Sequence, residues 1–398
     1  MKILVINSGS SSIKYQLFEM PAAKVICTGL VERIGLEKAI LTYKYLRGSE
    51  LFEYKMEGNI ANHTEGLKAV ADLLVDDEKG VIQQPSEIDV VGHRVVHGGD
   101  NFVSTTLIDQ EVKEKIRELF SLSPLHNPPN LLGIEVAEKI FAGAKQVAVF
   151  DTAFHQTMPA VAYRFPLPNE LYTSGKVRAY GFHGTSHKYV SEQVTKHYGN
   201  PHLKMISIHL GNGCSMTAIA NGKSVDHSMG LGPMNGLVMG TRAGDIDQTV
   251  IFYLVNQLGY TLDQVHDILN KKSGLMGLAG VSDMRDLKAL IEKGDANAIL
   301  AHQVYVYKVR KFIGSYIAVL NGVDVILFTG GIGENDSYTR DKICENLEGL
   351  NIALDTAKNS RHESGIREIN ANASTVKILV VPTNEEKEIA GQCYDLFN

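Results

Sequence analysis

The chain has no tryptophan, only four cysteines among 398 residues, and no apolar run long enough to cross a bilayer. The cysteines, Cys27, Cys214, Cys344 and Cys393, lie far apart. None has C-x-x-C spacing and no His-rich partner completes a zinc pattern, so buried free thiols are expected rather than disulfides or a structural metal. An excess of positive charge is missing as well. The 39 Lys and Arg stand against 45 Asp and Glu, for a net charge of −6. This leaves no electrostatic footprint for nucleic acid or an anionic membrane surface. The apolar start Ile3 to Ile6 is too short for a signal-peptide core and is broken at once by Asn7-Ser8-Gly9. A cytoplasmic protein is the expectation. Its length suits two or three domains, and its 44% apolar and 21% charged residues suit packed cores.

What is present is glycine, 37 residues of it, placed after short β-branched strands. Ile3 to Ile6 reads as a strand and 13–18 as its hairpin partner across a Ser/Gly turn. A helix follows Thr64 as a capping residue, and another starts near Pro128-Pro129, where proline is tolerated in a first turn. Val90-Val91 and 147–150 are buried-strand candidates. The opening grammar then recurs: 205–210 is a strand entering a Gly/Asn/Ser turn and 216–220 returns beside it. Laid over the start of the chain, Gly213 falls on Gly9 and Ser215 on Ser11, which suggests two related halves. Helices are expected at about 247–257, 261–270, 282–293 and 296–321, and strands at 323–328 and 377–381.

Three segments share one design, a strand running into a turn whose backbone N–H groups can converge on an anion. They are 7–12, then Gly211-Asn212-Gly213-Cys214-Ser215, then Gly330-Gly331-Ile332-Gly333. Any one of them reads equally as an ordinary hairpin turn; three in succession point to a nucleotide. Gly222-Lys223-Ser224 ends like a Walker loop, but Thr217 stands where that loop needs glycine, and no G-x-G-x-x-G occurs. Lys14 can add a point charge on a phosphate. Arg94 among valines, Asp151 directly after a strand, Arg242 in a glycine-flanked loop, and His183 with His187 one turn apart are polar groups at strand ends, where open α/β sheets gather ligands. Each has a plain structural reading too: Arg94 with Asp151 as a buried ion pair, His183 as a core histidine. Thr383-x-x-Glu386 reads as a capping box, which makes Glu386 structural and leaves Glu385 open.

Ten segments together resemble the acetate kinase family. They are NSGSSSIKY (7–15), GHRVVHGG (92–99), PLHNPPN (124–130), FDTAFHQTMP (150–159), YGFHGTSH (180–187), HLGNGCS (209–215), MGTRAGDID (239–247), SDMRDL (282–287), TGGIGEN (329–335) and PTNEE (382–386). They run in family order over nearly the whole chain. The resemblance implies an α/β fold of two similar domains of the actin-like ATPase (ribonuclease H-like) type. Each would be a mixed sheet flanked by helices, the two closing on a central cleft. The N-terminal domain would cover 1–151 completed by the terminal helix 385–398, and the C-terminal domain 152–384. It further implies a homodimer and Mg²⁺-dependent reversible phosphoryl transfer from ATP to acetate, giving ADP and acetyl phosphate. Mn²⁺ is an alternative to Mg²⁺.

The implied roles follow the motifs. Asn7 and Glu385 would hold the metal and Lys14 would approach the ATP phosphates. Arg94 would bind the substrate carboxylate, with Val96, Leu125, Phe182 and Pro233 around its methyl group. His209, Leu210, Gly211, Asn212 and Gly213 would line the phosphates. Asp283, Met284, Arg285, Gly331, Ile332, Gly333, Glu334 and Asn335 would hold the adenosine. His183 and Arg242 would stabilise the transferring phosphoryl group, with Asp151 as the catalytic carboxylate. Acetate is already ionised near neutrality, so Asp151 is better suited to orienting Arg94 or a metal-bound water than to removing a proton. A propionate or other short-chain acyl kinase is the nearest alternative, since one methylene in an apolar pocket discriminates by only about 1–3 kcal/mol. Pyrophosphate as donor and a conformational ATPase of the actin or chaperone type are the others.

Overall fold

The opening apolar stretch forms β1 (Lys2–Ser8) and returns antiparallel as β2 (Ser12–Glu19), with Ser8 opposite Ile13 and Asn7 opposite Lys14. In the computed structural model, which describes residues 1–48 and 50–398, the chain divides into two units. The first comprises Met1–Phe154 and Asn384–Asn398, the second His155–Thr383.

In the first unit the hairpin continues as β3 (Lys24–Glu32), β4 (Ala39–Arg47) and β5 (Glu50–Gly58). On the other side of β1 lie β6 (Val90–Val95), the two-residue β7 (Thr106–Leu107) and β8 (Lys145–Phe150). The sheet order is β5-β4-β3-β2-β1-β6-β8-β7, with β6 and β8 parallel to β1. Because side chains alternate across a strand, both faces bury apolar residues. Leu4, Ile6 and Val91 pack with residues of the helices His63–Leu74 and Asn127–Ile140. Ile3, Val5, Val90, Val147 and Val149 pack with Ile389, Ala390 and Cys393 of the terminal helix, Glu385–Asp395.

The second unit repeats the plan. β9 (Lys204–Leu210), β10 (Cys214–Ala220), β11 (Lys223–His227), β12 (Val325–Thr329), β13 (Arg367–Glu368) and β14 (Lys377–Val380) are ordered β11-β10-β9-β12-β14-β13. Strand for strand this matches β3-β2-β1-β6-β8-β7, with the same parallel and antiparallel senses. The duplication suggested by the two hairpins is thus present as shared topology, and each unit is a mixed sheet flanked by helices. One face of β10 meets the long helix Ala296–Leu320, where Tyr305 reaches Cys214 Sγ at 3.2 Å. The other face presents Ser207, His209, Ser215 and Thr217, all buried, and the helix Gly184–Tyr198 packs on β9 at this side.

Local readings needed correction at three places. The helix His63–Leu74 is capped by Asn62, whose side chain accepts from Glu65 N at 3.0 Å, and Thr64 lies inside the first turn. The terminal helix is capped by Asn384, which accepts from Lys387 N at 2.9 Å, in place of a Thr383–Glu386 box. In both cases an asparagine takes the cap position, and asparagine caps better than threonine. Gly330–Asn335 is a six-residue helix, not a turn. Gly330 takes a left-handed φ of +77° directly after β12, so the chain enters the helix without an intervening loop. All four cysteines are buried free thiols, as expected.

Candidate active site

Two sets of polar side chains stand at strand ends, one in each unit. In the first unit Arg94 lies near the end of β6 and Asp151 directly follows β8. Their pairing is bidentate: Arg94 Nε meets Asp151 Oδ1 at 3.2 Å and Arg94 Nη2 meets Oδ2. Glu385 Oε2, in the first turn of the terminal helix, is 3.5 Å from Arg94 Nε, and Lys14 Nζ reaches Glu386 Oε1 at 2.7 Å. Burial works against the Arg94 cation, but Asp151, Glu385 and Glu386 more than offset it and hold its pKa above the ordinary value. Burial raises the Glu385 carboxyl, Arg94 opposes that shift, and Asp151 and Glu386 reinforce it. Glu386 is thus the ion-pair partner of Lys14, a contact its capping-box reading did not contain.

The loop after β6 is held by two asparagines whose role the sequence did not reveal. Asn130 accepts from Val96 N at 3.0 Å and donates to Ser8 O at 2.7 Å, tying the β6 loop to the end of β1. Asn127 accepts from His97 N and donates to His97 O, both at 3.0 Å. Both asparagines lie in the first turn of the helix Asn127–Ile140, within the PLHNPPN segment. The residues expected around a methyl group divide between the units. Val96 is buried and Leu125 is 57% exposed in the first, whereas Phe182 is buried and Pro233 half-buried in the second.

In the second unit the segment Gly181-Phe182-His183 makes the sharp entry to the helix Gly184–Tyr198, with φ of +77° at Gly181 and +55° at His183. A Cβ at Gly181 would lie 2.8 Å from the His155 ring, so only glycine fits. His227 Nε2 accepts from Phe182 N at 3.1 Å, and His155 Nε2 lies 3.0 Å from Phe182 O. Five imidazoles, from His155, His183, His187, His209 and His227, form a contiguous cluster with ring centroids of neighbours 4.1–6.1 Å apart, all of them buried except the half-buried His183.

The phosphate-like turn between β9 and β10 closes against this cluster. A Cβ on Gly213 would lie 2.7 Å from Arg242 Nη2 and 3.4 Å from His183 Nε2, so the missing side chain lets both nitrogen groups approach the turn. Arg242 Nη1 donates to Pro233 O, and among the described residues Arg242 makes no ion pair with a carboxylate. Burial lowers its pKa. A desolvated, uncompensated guanidinium beside a glycine turn is built to receive an anion.

A cavity of about 730 Å³ adjoins the same turn. It is lined by Gly211, Asn212, Asp283, Met284, Arg285, Gly331, Ile332 and Asn335, all expected from sequence, and by Ser282, Lys288 and Asp336, which were not. Lys288 Nζ pairs with Asp336 Oδ1 at 2.9 Å. Arg285 holds Asp283 in a bidentate pair that lowers the carboxyl to about 2. Glu334 does not line the cavity. Its Oε1 accepts from Gly330 N at 3.1 Å and Thr383 N at 3.0 Å, satisfying backbone donors just beyond β12 and β14. His209, Leu210, Gly213 and Gly333 also lie outside the lining, with His209 Nδ1 2.9 Å from Ser186 Oγ.

The sequence profile of the acetokinase family matches residues 2–391. The chain belongs to the acetokinase family. It is 58% identical over 396 residues to the acetate kinase of Flavobacterium johnsoniae, covering all of this chain and 99% of that one. The crystal structure of Porphyromonas gingivalis acetate kinase superposes with a TM-score of 0.93 at 42% identity, covering 100% of both chains. A propionate kinase from Francisella tularensis superposes at 0.91 with 41% identity, covering 98% of both. The chain is therefore an enzyme, a kinase of that family.

The histidine cluster gives a stability prediction. Burial, and then the neighbouring histidines, holds the His187 and His227 imidazoles well below the ordinary range. The folded rings refuse protons that the unfolded chain accepts. Their stabilisation is thus full above the ordinary histidine pKa of about 6.5 and is lost as pH falls below it, by up to about 1.4 kcal/mol per pH unit per ring. Urea unfolding of His227→Gln between about pH 7 and 5 is expected to show a shallower acid loss than the parent chain. An unchanged slope would contradict a buried neutral His227.

Proposed function

We propose that the chain is an acetate kinase, transferring the γ-phosphoryl group of ATP to acetate, reversibly and in one in-line step, to give acetyl phosphate and ADP. The observation that carries this reading is the convergence of Arg242 Nη2 and His183 Nε2 on the side-chain-free face of Gly213, beside the 730 Å³ cavity. Its similarity to acetate kinases over the full chain supports the choice of acceptor. Phosphoryl transfer asks for alignment and neutralisation of spread negative charge more than for covalent help. Arg242 and the His183 ring supply those donors to the group in flight. Gly211 and Asn212 carry the phosphate chain, and the cavity with Asp283, Met284, Arg285, Gly331, Ile332 and Asn335 takes the adenosine.

Arg94 binds the acetate carboxylate. Its bond to Asp151 uses Nε and one hydrogen of Nη2, which leaves the remaining N–H groups of the fork for a carboxylate. Asp151 acts by fixing that fork. In this reading Val96, Leu125, Phe182 and Pro233 are the residues assigned to the methyl group, and Lys14, now paired with Glu386, is assigned to the phosphate chain.

The reaction also calls for Mg²⁺, or Mn²⁺ in its place. A hard dication of this kind takes oxygen ligands, keeps several waters and is shared with substrate phosphates. The Glu385 carboxylate and Asn7 amide oxygen are donors of that type. Asn7 lies opposite Lys14, and Lys14 reaches the neighbour of Glu385. Among the described residues no trio of His, Cys, Asp or Glu is grouped to hold a metal alone, which suits an ion carried largely by the nucleotide. When bound, the ion supplies charge neutralisation on the phosphates.

We place the enzyme in the cytoplasm as a homodimer. The helix Thr249–Asn256, TVIFYLVN, buries none of its residues, with Phe252 64% and Tyr253 56% exposed, and Leu258 and Leu262 are exposed beside it. Such an apolar face suits a second copy of the chain.

Hydroxylamine trapping of the acyl phosphate, with acetate and propionate compared at fixed ATP, tests the reaction and its acceptor together. The expected outcome is acetyl hydroxamate with a higher kcat/KM for acetate; preference for propionate, or ATP turnover without an acyl phosphate, would overturn the reading. Arg94→Ala is expected to raise the KM for acetate by about tenfold or more, whereas Arg242→Ala lowers kcat by about a hundredfold or more. The converse split would exchange their roles. Light scattering is expected to give twice the chain mass of 43.6 kDa, and Phe252→Glu to give a single chain; a monomeric parent would refute the dimer.

A further inference from the structure

The buried polar face under the helix Gly184–Tyr198 contains an unbroken line of three hydrogen bonds. His183 Nδ1 lies 2.8 Å from Ser215 Oγ, Ser215 Oγ lies 2.8 Å from His187 Nε2, and His187 Nδ1 lies 2.8 Å from Ser207 Oγ. Ser207, Ser215 and His187 are completely buried, so water does not enter the line. A hydroxyl has one hydrogen. Ser215 could accept from both imidazole nitrogens only by leaving its own hydrogen buried without a partner, so it donates to one and accepts from the other. With His187 neutral, two patterns then satisfy every bond. In the first, Ser207 donates to His187 Nδ1, His187 Nε2–H donates to Ser215, and Ser215 donates to His183 Nδ1. The single hydrogen of a neutral His183 then lies on Nε2. In the second the whole line reverses. His183 then spends a hydrogen on Nδ1, and its Nε2 is bare unless the ring becomes a cation.

The far side of the ring decides between them. His183 Nε2 and Arg242 Nη2 converge on the same side of Gly213, and an anion held by both needs an N–H from each. A cationic His183 would set a second positive charge beside a guanidinium that no carboxylate compensates. We propose that Ser215 and His187 are positioning residues that hold His183 as the neutral Nε2–H tautomer, so that it donates to the transferring phosphoryl group without carrying charge. Ser207 anchors the end of the line, and burial together with His155 and His209 keeps His187 neutral within it. The inference rests on the role given to His183 above and adds the device that sets its proton. The left-handed backbone of His183 fits this picture, since it turns the ring back onto β10 while the helix carries His187 one turn further along the same face.

The test combines kinetics with ¹⁵N-histidine NMR of the full chain, His183 being assigned by the signal lost in His183→Gln. The parent chain is expected to show His183 protonated at Nε2. Ser215→Ala is expected to mix the tautomers and lower kcat about ten- to a hundredfold, leaving the KM values for acetate and ATP near those of the parent. Ser215→Thr, which restores the hydroxyl, is expected to recover both. Ser207→Ala, at the far end of the line, gives a milder shift of the same kind and serves should the Ser215 variants not fold. An Nδ1–H or cationic His183 in the parent would overturn the proposal, as would Ser215→Ala or Ser207→Ala with unchanged tautomer and kcat. If His183→Gln itself keeps full kcat, the role of His183 in transfer is what fails, while the tautomer measurement still judges the line.

Discussion

Polar groups shut away from water must find partners inside the fold, and this constraint shapes both strand-end clusters. Ser207, His209, Ser215 and Thr217 occupy a sheet face that in most α/β units would be aliphatic. None of them can be left to water. The helix above supplies Ser186 and His187, and the preceding loop supplies His183, each at a distance that closes a bond. Rings and hydroxyls bound on both sides lose their freedom to rotate. The His183 ring that faces Gly213 is therefore held from the core side, through Ser215 on β10.

The duplicated sheet shows how one topology serves two kinds of chemistry. The end of β6 and the residue after β8 carry Arg94 and Asp151. The matching strands β12 and β14 end in Thr329 and in the segment leading to Thr383, whose backbone donor is taken by Glu334. In the first unit ionised groups cancel each other through a guanidinium fork and the start of a helix. Around Gly213 in the second the side chains are mostly neutral, and among the described residues the Arg242 guanidinium beside them makes no carboxylate pair. Low dielectric strengthens both arrangements, but it makes the second dependent on what arrives from outside.

Much of this was legible in the chain. Both opening hairpins, the proline-started helix and the polar residues at strand ends follow from period, capping chemistry and glycine placement. The strands β3 to β5 passed unread although Leu41, Tyr43 and Tyr45 alternate with polar residues, because no turn pair as strong as Asn-Gly frames them. Asn127 and Asn130 looked like part of a helix start, and only tertiary structure reveals that they bond a loop 30 and 34 residues earlier. Gly330 to Asn335 carries a loop composition yet folds as helix, since one left-handed glycine suffices to begin it. The serine–histidine line is the hardest case. Its members are separated by four to thirty-two residues, and the local sign is two polar residues two apart in each of two mostly apolar strands, Ser207 and His209 in β9 and Ser215 and Thr217 in β10.

The contrast between the two arginines bears directly on catalysis. Arg94 is neutralised before any substrate binds, by Asp151 with Glu385 and Glu386 nearby, so a further anion gains only a moderate, geometry-dependent attraction. That behaviour suits the role proposed for Arg94, recognition of a ground-state carboxylate that must be released again. Arg242 is half-buried, its cation penalised by desolvation, and among the described residues its guanidinium bonds to a carbonyl and to no carboxylate. Negative charge brought close to it recovers a desolvation cost already incurred in folding. An interaction of that kind strengthens as charge accumulates, and catalysis needs binding that is tighter in the transition state than before it. A neutral donor at His183 completes the logic, because it shares the anion with Arg242 without competing with it for stability in the empty site.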